Sequence, residues 1–322
     1  MKTIVITGAT SFIGIHLIRE WLRHDVSIYA VVRPGSHNME RIPKDSRIHI
    51  VEQKMDEYHL LSDRIGAADC FYHLAWEGAR APYRDDEVLQ RKNYDGAVNA
   101  MSAAVKMQCK FFLGTGSQAE YSADSKTMKE EDECNPNTAY GKEKLHACLT
   151  LRDMAEDVDM NFIWLRVFSI YGTYDYEKTL VMSALEKMKD NLPIEMTAAT
   201  QLWDYLYVED LAKAMVLFAD KNCPNGVYNI ASGQYKPLNE FVTTMKNVMG
   251  SNSELKFGSV PYGPKGPVNL TPNIGKIQKA LGWSPSTTFE DGIAKMIVSI
   301  QETNPKYSLN EVVYQYDLEA YY

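Results

Sequence analysis

The chain has 322 residues, 45% hydrophobic and 24% charged, with a formal net charge of −8. That length supports a large core, in one big domain or two intimately joined ones. The acidic balance gives a nucleic-acid role no electrostatic support, and no apolar run approaches the ~18 residues that a bilayer span requires. It is also awkward for an anionic substrate, so local basic residues would have to do that work. The five cysteines, Cys70, Cys109, Cys134, Cys148 and Cys223, are odd in number and form no CxxC pair. They read as reduced thiols, not as a disulfide frame, and no metal site is expected. The first apolar segment runs directly into a glycine turn, so no signal peptide is expected and a cytoplasmic protein is.

The chain opens with Ile4-Val5-Ile6, then Thr7-Gly8-Ala9-Thr10-Ser11-Phe12-Ile13-Gly14. This reads as a buried strand, a glycine-bearing turn and a helix start, the arrangement that binds a dinucleotide. Gly8 allows the tight turn, and Gly14 lets the helix pack closely on the strand. Ser11 stands between them with a hydroxyl that could contact phosphate. Strands are predicted at 3–7, 27–32, 48–52, 70–74, 110–114 and 161–166, with helices between them, among them 14–23, 84–107 and 138–157. Such alternation implies parallel strands joined by crossover helices: an α/β chain with a Rossmann-type, doubly wound parallel sheet and ligands at the carboxyl ends of the strands. The second strand ends in Val31-Val32-Arg33-Pro34-Gly35-Ser36. It lacks the acid that holds the ribose of NAD, whereas Arg33 suits the extra phosphate of NADP. NADP is the favoured cofactor, with NAD as the alternative.

After Tyr171 the pattern becomes mixed, with a helix at 180–189, a short strand near Ile194, a return to the sheet region at 206–218 and a strand at 227–230. Residues 256–272 are rich in Pro and Gly and read as an extended loop over the cleft. The Tyr-rich, acidic tail at 304–322 has no functional reading. The expected organisation is a dinucleotide-binding domain of 1–172, with 203–232 returning to its sheet, and a smaller C-terminal substrate-binding α/β domain of 173–202 and 233–322.

The segment Tyr140-Gly141-Lys142-Glu143-Lys144 is the most informative. Tyr140 and Lys144 are four apart and share one face of a helix. A cation beside a phenol favours the phenolate, so such a Tyr can exchange a proton with a hydroxyl or carbonyl while a nicotinamide exchanges a hydride. Together with the glycine turn, this segment resembles the extended short-chain dehydrogenase/reductases, in the NAD(P)-dependent epimerase/dehydratase family that works on nucleotide sugars. The resemblance covers nearly the whole chain.

The resemblance implies a catalytic set of Ser117, Tyr140 and Lys144. Ser117 lies four residues before Tyr121 in Gly114-Thr115-Gly116-Ser117-Gln118-Ala119-Glu120-Tyr121. It also implies cofactor contacts from Gly8, Ser11, Phe12, Ile13, Gly14, Arg33, Asp56, Leu74, Ala75, Asn93 and Phe168, along with Tyr140 and Lys144. Ser11 departs from the family's middle glycine. Substrate contacts are expected from Ser117, Gln118 and Ser169. Trp203 stands where many members carry a diphosphate-binding Arg, and Lys265 could substitute for a second one. Trp76 and Glu77, at a strand end, are candidates for substrate-specific contacts. Family members that dehydrate the sugar place an acid where this chain has Ala119, which disfavours dehydration. The expected activity is reduction of a 4-keto sugar nucleotide. The alternative is a 4-epimerase with tightly bound NAD; a non-catalytic regulator would not need Ser117, Tyr140 and Lys144. A homodimer built on the helices at 84–107 and 138–157 is implied, with no nucleic-acid or membrane partner.

Overall fold

The computed structural model describes residues 1–121, 127–221, 223–263 and 266–303. In chain order the elements are β1 (Lys2–Thr7), α1 (Phe12–Trp21), β2 (Val26–Val32), β3 (Ile48–Glu52), α2 (Leu61–Ile65), β4 (Cys70–His73), α3 (Glu87–Lys106), β5 (Phe111–Ser117), α4 (Ala139–Glu156) and β6 (Asn161–Val167). There follow β7 (Ile170–Tyr171), α5 (Leu180–Lys189), β8 (Ile194–Met196), β9 (Leu202–Trp203), β10 (Leu206–Tyr207), α6 (Val208–Asp220), β11 (Gly226–Ile230), β12 (Lys236–Pro237), α7 (Leu238–Met249), β13 (Leu255–Phe257), α8 (Gly275–Leu281) and α9 (Phe289–Thr303).

Seven of these strands form one parallel sheet in the order β11-β6-β5-β4-β1-β2-β3. Ile4, Val5 and Ile6 of β1 are fully buried, as expected of a strand covered by helices on both faces. The strand order reverses between β1 and β4, whose carboxyl ends lie side by side: Thr7 pairs with His73 and with Val31. This switch point is where an open α/β sheet binds its ligand. On one face the rings of Phe71 and Phe112 stack at 5.5 Å, and Phe112 stacks on Phe162 at 6.2 Å. Ala97, Ala100 and Ala104 of α3 and Ala147 of α4 join the same core. Their small side chains let both helices approach that aromatic layer closely.

The chain divides into two compact units. The first comprises Met1–Phe168, Leu211–Ile230 and Asn273–Trp283, and contains the seven-stranded sheet. The second comprises Ser169–Asp210, Ala231–Pro272 and, among the described residues, 284–303. Its own core gathers Val181 and Leu185 of α5, Phe241 and Met245 of α7, and Phe289 and Ile293 of α9. Within it the buried Asp204 carboxylate accepts from the Ser232 hydroxyl at 2.9 Å and from the Ser232 and Gln234 amides.

These boundaries differ from the expected ones at residues 169–172, 203–210, 231–232 and 273–283. The chain leaves the sheet unit after Phe168, not after residue 172. Residues 203–210 stay with the second unit, because β9 and β10 pair with β12 and β7 there. Residues 273–283, expected in the substrate-binding part, belong to the sheet unit. Ile277 and Leu281 are buried there, and the Asn273 amide donates to the Met128 carbonyl.

Candidate active site

The glycine turn is as tight as steric limits permit. Gly8 has φ +69°, and a Cβ on it would stand 2.8 Å from the Ala75 nitrogen. A Cβ on Gly14 would stand 2.4 Å from the Gly8 carbonyl oxygen. Ser11, in place of the family's middle glycine, caps α1: its Oγ accepts the Gly14 amide at 3.1 Å. The hydroxyl hydrogen is left for a ligand, as are the first-turn amides of Phe12 and Ile13, which have no partner within the helix. A helix N-terminus behind a glycine cradle fits a dinucleotide pyrophosphate. Leu74 and Ala75 back this turn from the end of β4.

Asn93 has a structural task. Wholly buried, it accepts the Glu77 amide and donates to the Glu77 carbonyl, both at 2.8 Å, clamping the strand exit. The Glu77 side chain turns toward β2 and pairs with Arg33 at 2.7 Å, both groups being exposed. The structure therefore brings Glu77, expected on the substrate side, to Arg33, the residue expected to favour NADP over NAD. Asp56 is exposed in the turn Met55–Leu60, and its carbonyl accepts from Asn99. Phe168 is buried, with its ring 6.2 Å from that of Tyr121.

Ser117 ends β5, three residues beyond the strand's expected end, and opens a short turn over Gln118–Glu120. Tyr140 and Lys144 lie on α4, whose N-terminus is capped by Thr138. Ser117, Tyr140 and Lys144 are all buried. The Lys144 ammonium donates to the Thr115 carbonyl at 2.6 Å and lies 3.7 Å from the centre of the Trp76 ring. Burial pulls its pKa down to about 7, against the opposing charge of Glu120. Trp76 meets Tyr140 edge-on at 6.2 Å and donates to Gln90 at 2.7 Å. Burial raises the Tyr140 phenol, opposed by the Ser117 hydroxyl and then by the charge of Arg84. The expectation that a cation leaves this phenol below its ordinary value is corrected: in this structure desolvation outweighs the cations.

The structure thus joins Trp76, Tyr140 and Lys144 into one group in the sheet unit, with Ser117 and Gln118 at the strand end and turn that pack beside α4. Ser169 and Trp203 belong to the second unit, where the Trp203 indole nitrogen is buried without a hydrogen-bond partner. Lys265 lies outside the described residues.

Sequence reasoning missed the support beneath Ser117. The Glu120 carboxylate is wholly buried and accepts the Ser117 amide at 2.8 Å, the Trp164 indole at 3.1 Å and the Arg166 Nε at 2.8 Å. The Ser-x-x-Glu spacing of a capping box was the available signal. Arg84 was also missed, since no motif marks it.

A doubly wound sheet whose switch point carries a glycine cradle, with Ser117 at the end of β5 and Tyr140 and Lys144 on α4, has the arrangement expected of a dinucleotide-dependent acid–base site. The profile of the NAD dependent epimerase/dehydratase family matches residues 4–231, and the chain belongs to that family. It is 25% identical over 299 residues to CDP-abequose synthase of Salmonella muenchen, covering 92% of this chain and 97% of that one. It is 23% identical over 319 residues to dTDP-4-dehydro-6-deoxyglucose reductase of Escherichia coli, again covering 92% and 97%. Among solved structures it resembles UDP-N-acetylglucosamine 4-epimerase from Methanobrevibacter ruminantium M1 in complex with UDP-N-acetylmuramic acid. The TM-score is 0.85 at 21% identity, over 94% of this chain and 99% of that one, a likeness of fold. Among the described residues no helix is long and apolar enough to cross a membrane.

Proposed function

We propose that this chain is an NADP(H)-dependent reductase of a 4-keto sugar nucleotide. The observation that carries the reading is the placement of buried Ser117 at the end of β5 with buried Tyr140 and Lys144 on one face of α4, at the carboxyl edge of the sheet. When bound, the nicotinamide supplies the hydride. Ser117 orients the substrate oxygen, Tyr140 gives it the proton, and Lys144 holds the nicotinamide ribose. Gly8, Ser11, Phe12, Ile13 and Gly14 would hold the pyrophosphate, with Asp56, Leu74, Ala75 and Phe168 lining the rest. Gln118, Ser169, Trp203, Trp76 and Lys265 are proposed substrate contacts. The similarity to a dTDP-4-dehydro-6-deoxyglucose reductase over nearly the full length of both chains supports reduction. Dehydration lacks its acid: Ala119 holds the position, and Glu120 is engaged by Ser117, Trp164 and Arg166.

Arg33 supports NADP, whose phosphate would replace the Glu77 carboxylate on the guanidinium. NAD is the alternative, because the family is described as NAD dependent. It accompanies the second reading, a 4-epimerase that keeps its cofactor. The same reading makes the protein a cytoplasmic homodimer built on α3 and α4, which expose Val88 and Leu149.

Denaturing the purified protein and identifying any released nicotinamide cofactor separates the two. An empty site that binds NADPH more tightly than NADH, with turnover on a panel of 4-keto sugar nucleotides, is the expected result. Near-stoichiometric NAD would favour the epimerase. Tyr140→Phe should lower kcat by about 10²- to 10⁴-fold and leave cofactor affinity intact; a fully active variant would remove Tyr140 from the chemistry.

A further inference from the structure

The exit of β4 carries a second cation to the catalytic tyrosine. Gly78, at φ +65°, turns the chain so closely that a Cβ on it would meet the Leu89 side chain at 2.6 Å. The wholly buried Gln90 then pins the loop, donating to the Gly78 and Tyr83 carbonyls at 3.0 Å each while accepting from Trp76. Asp86 caps α3 immediately after. These bonds fix the short turn Tyr83–Asp85 and seat the Arg84 guanidinium 5.0 Å from the centre of the Tyr140 ring. The Lys144 ammonium is farther, at 6.0 Å. The Arg84 Nε is buried without a hydrogen-bond partner, and Arg84 forms no ion pair among the described residues. A guanidinium so placed interacts with the π-electrons of the ring, and more strongly once ionisation adds negative charge to them.

We propose that Arg84 is a positioning cation for Tyr140: it favours the phenolate and so makes the tyrosine a readier proton donor. The groups facing Tyr140 divide by sign. Ser117 of β5 and Arg84 and Arg80 of the loop favour ionisation, and Glu120 opposes it. Lys144, on the same helix, donates a hydrogen bond to the Thr115 carbonyl and rests on Trp76. Arg84 thus supplies from a different element what the Tyr-x-x-x-Lys spacing assigns to Lys144. The value of this to turnover rests on the reductase reading; the electrostatic effect does not.

The test reads the tyrosine directly. A ring-fluorinated tyrosine at position 140 ionises in an accessible pH range and reports its charge through its ¹⁹F shift, without substrate or turnover. Arg84→Gln should move the midpoint upward by on the order of one pH unit, and Arg84→Lys should restore most of that shift. Unchanged melting of both variants shows that the fold is intact. An unmoved midpoint in a folded Arg84→Gln protein overturns the proposal. So does an unmoved midpoint with a raised KM, which would make Arg84 a substrate ligand instead. Failure of the reductase reading appears separately, as no turnover on 4-keto sugar nucleotides while the midpoint still shifts.

Discussion

At the scale of single residues, Glu120 shows how the proposed catalytic serine is held. Its carboxylate has almost no access to water, so its charge must be met locally, and Arg166 at 2.8 Å meets it. Arg166 is itself 4% exposed, with its Nη2 2.9 Å from the Cys134 sulfur and its guanidinium over the Tyr121 ring at 4.5 Å. Removing one charge strands the other in a low-dielectric interior. Glu120→Gln should therefore destabilise the protein by about 3–5 kcal/mol, measured by urea unfolding. A loss below about 1 kcal/mol would show that Arg166 finds water or another acceptor. Ser117, Tyr140 and Lys144 were legible in the sequence because their spacing is local to one strand end and one helix face. Glu120–Arg166 and Arg84–Tyr140 were not, because each joins residues from separate elements that only the folded sheet brings together.

At the scale of elements, Gly114 and Gly116 show why a strand boundary escaped prediction. Glycines usually weaken a strand, and β5 was expected to end at residue 114. The Trp164 ring on the neighbouring strand fills the space instead: a Cβ on Gly114 would lie 2.5 Å from it, and one on Gly116 2.2 Å. Bare backbone is thus what this packing demands, and β5 continues in register with β6 to Ser117. The glycine turn follows the same logic and was legible, since its residues are contiguous. Gly14→Ala should force α1 away from the Gly8 carbonyl, at a cost of at least about 1–3 kcal/mol. Cofactor affinity should fall with it, checked by thermal melting and by titration with NADPH and NADH. Wild-type values for both would mean that the turn relaxes freely.

At the scale of the molecule, the alternation of strands and helices made the doubly wound sheet legible, but not the point at which each segment changes allegiance. The chain crosses between its two compact units after Phe168, Asp210, Ile230, Pro272 and Trp283. The reason lies in short pairings such as Leu206 with Ile170 and Lys236 with Trp203, too brief to leave a periodic pattern. The edge strand β11 pairs with β6 from Gly226↔Ile163 to Ile230↔Val167. A chain ended after residue 225 keeps β1 to β6 but bares the apolar edge of β6, and should be found in the insoluble fraction on expression. A soluble, monomeric product would show that the edge is protected otherwise.

The position of β11 in the sheet also orders events during synthesis. The ribosome completes Asn161–Val167 nearly 60 residues before Gly226–Ile230. At translation speeds of ~5–20 residues per second, β6 waits some seconds for its outer neighbour. Throughout that interval the nascent chain presents an open parallel edge to anything nearby, including the same strand on the next ribosome of a polysome. Codon choice between residues 168 and 226, which sets the length of the wait, is thus a lever on yield that leaves every atom of the finished protein unchanged.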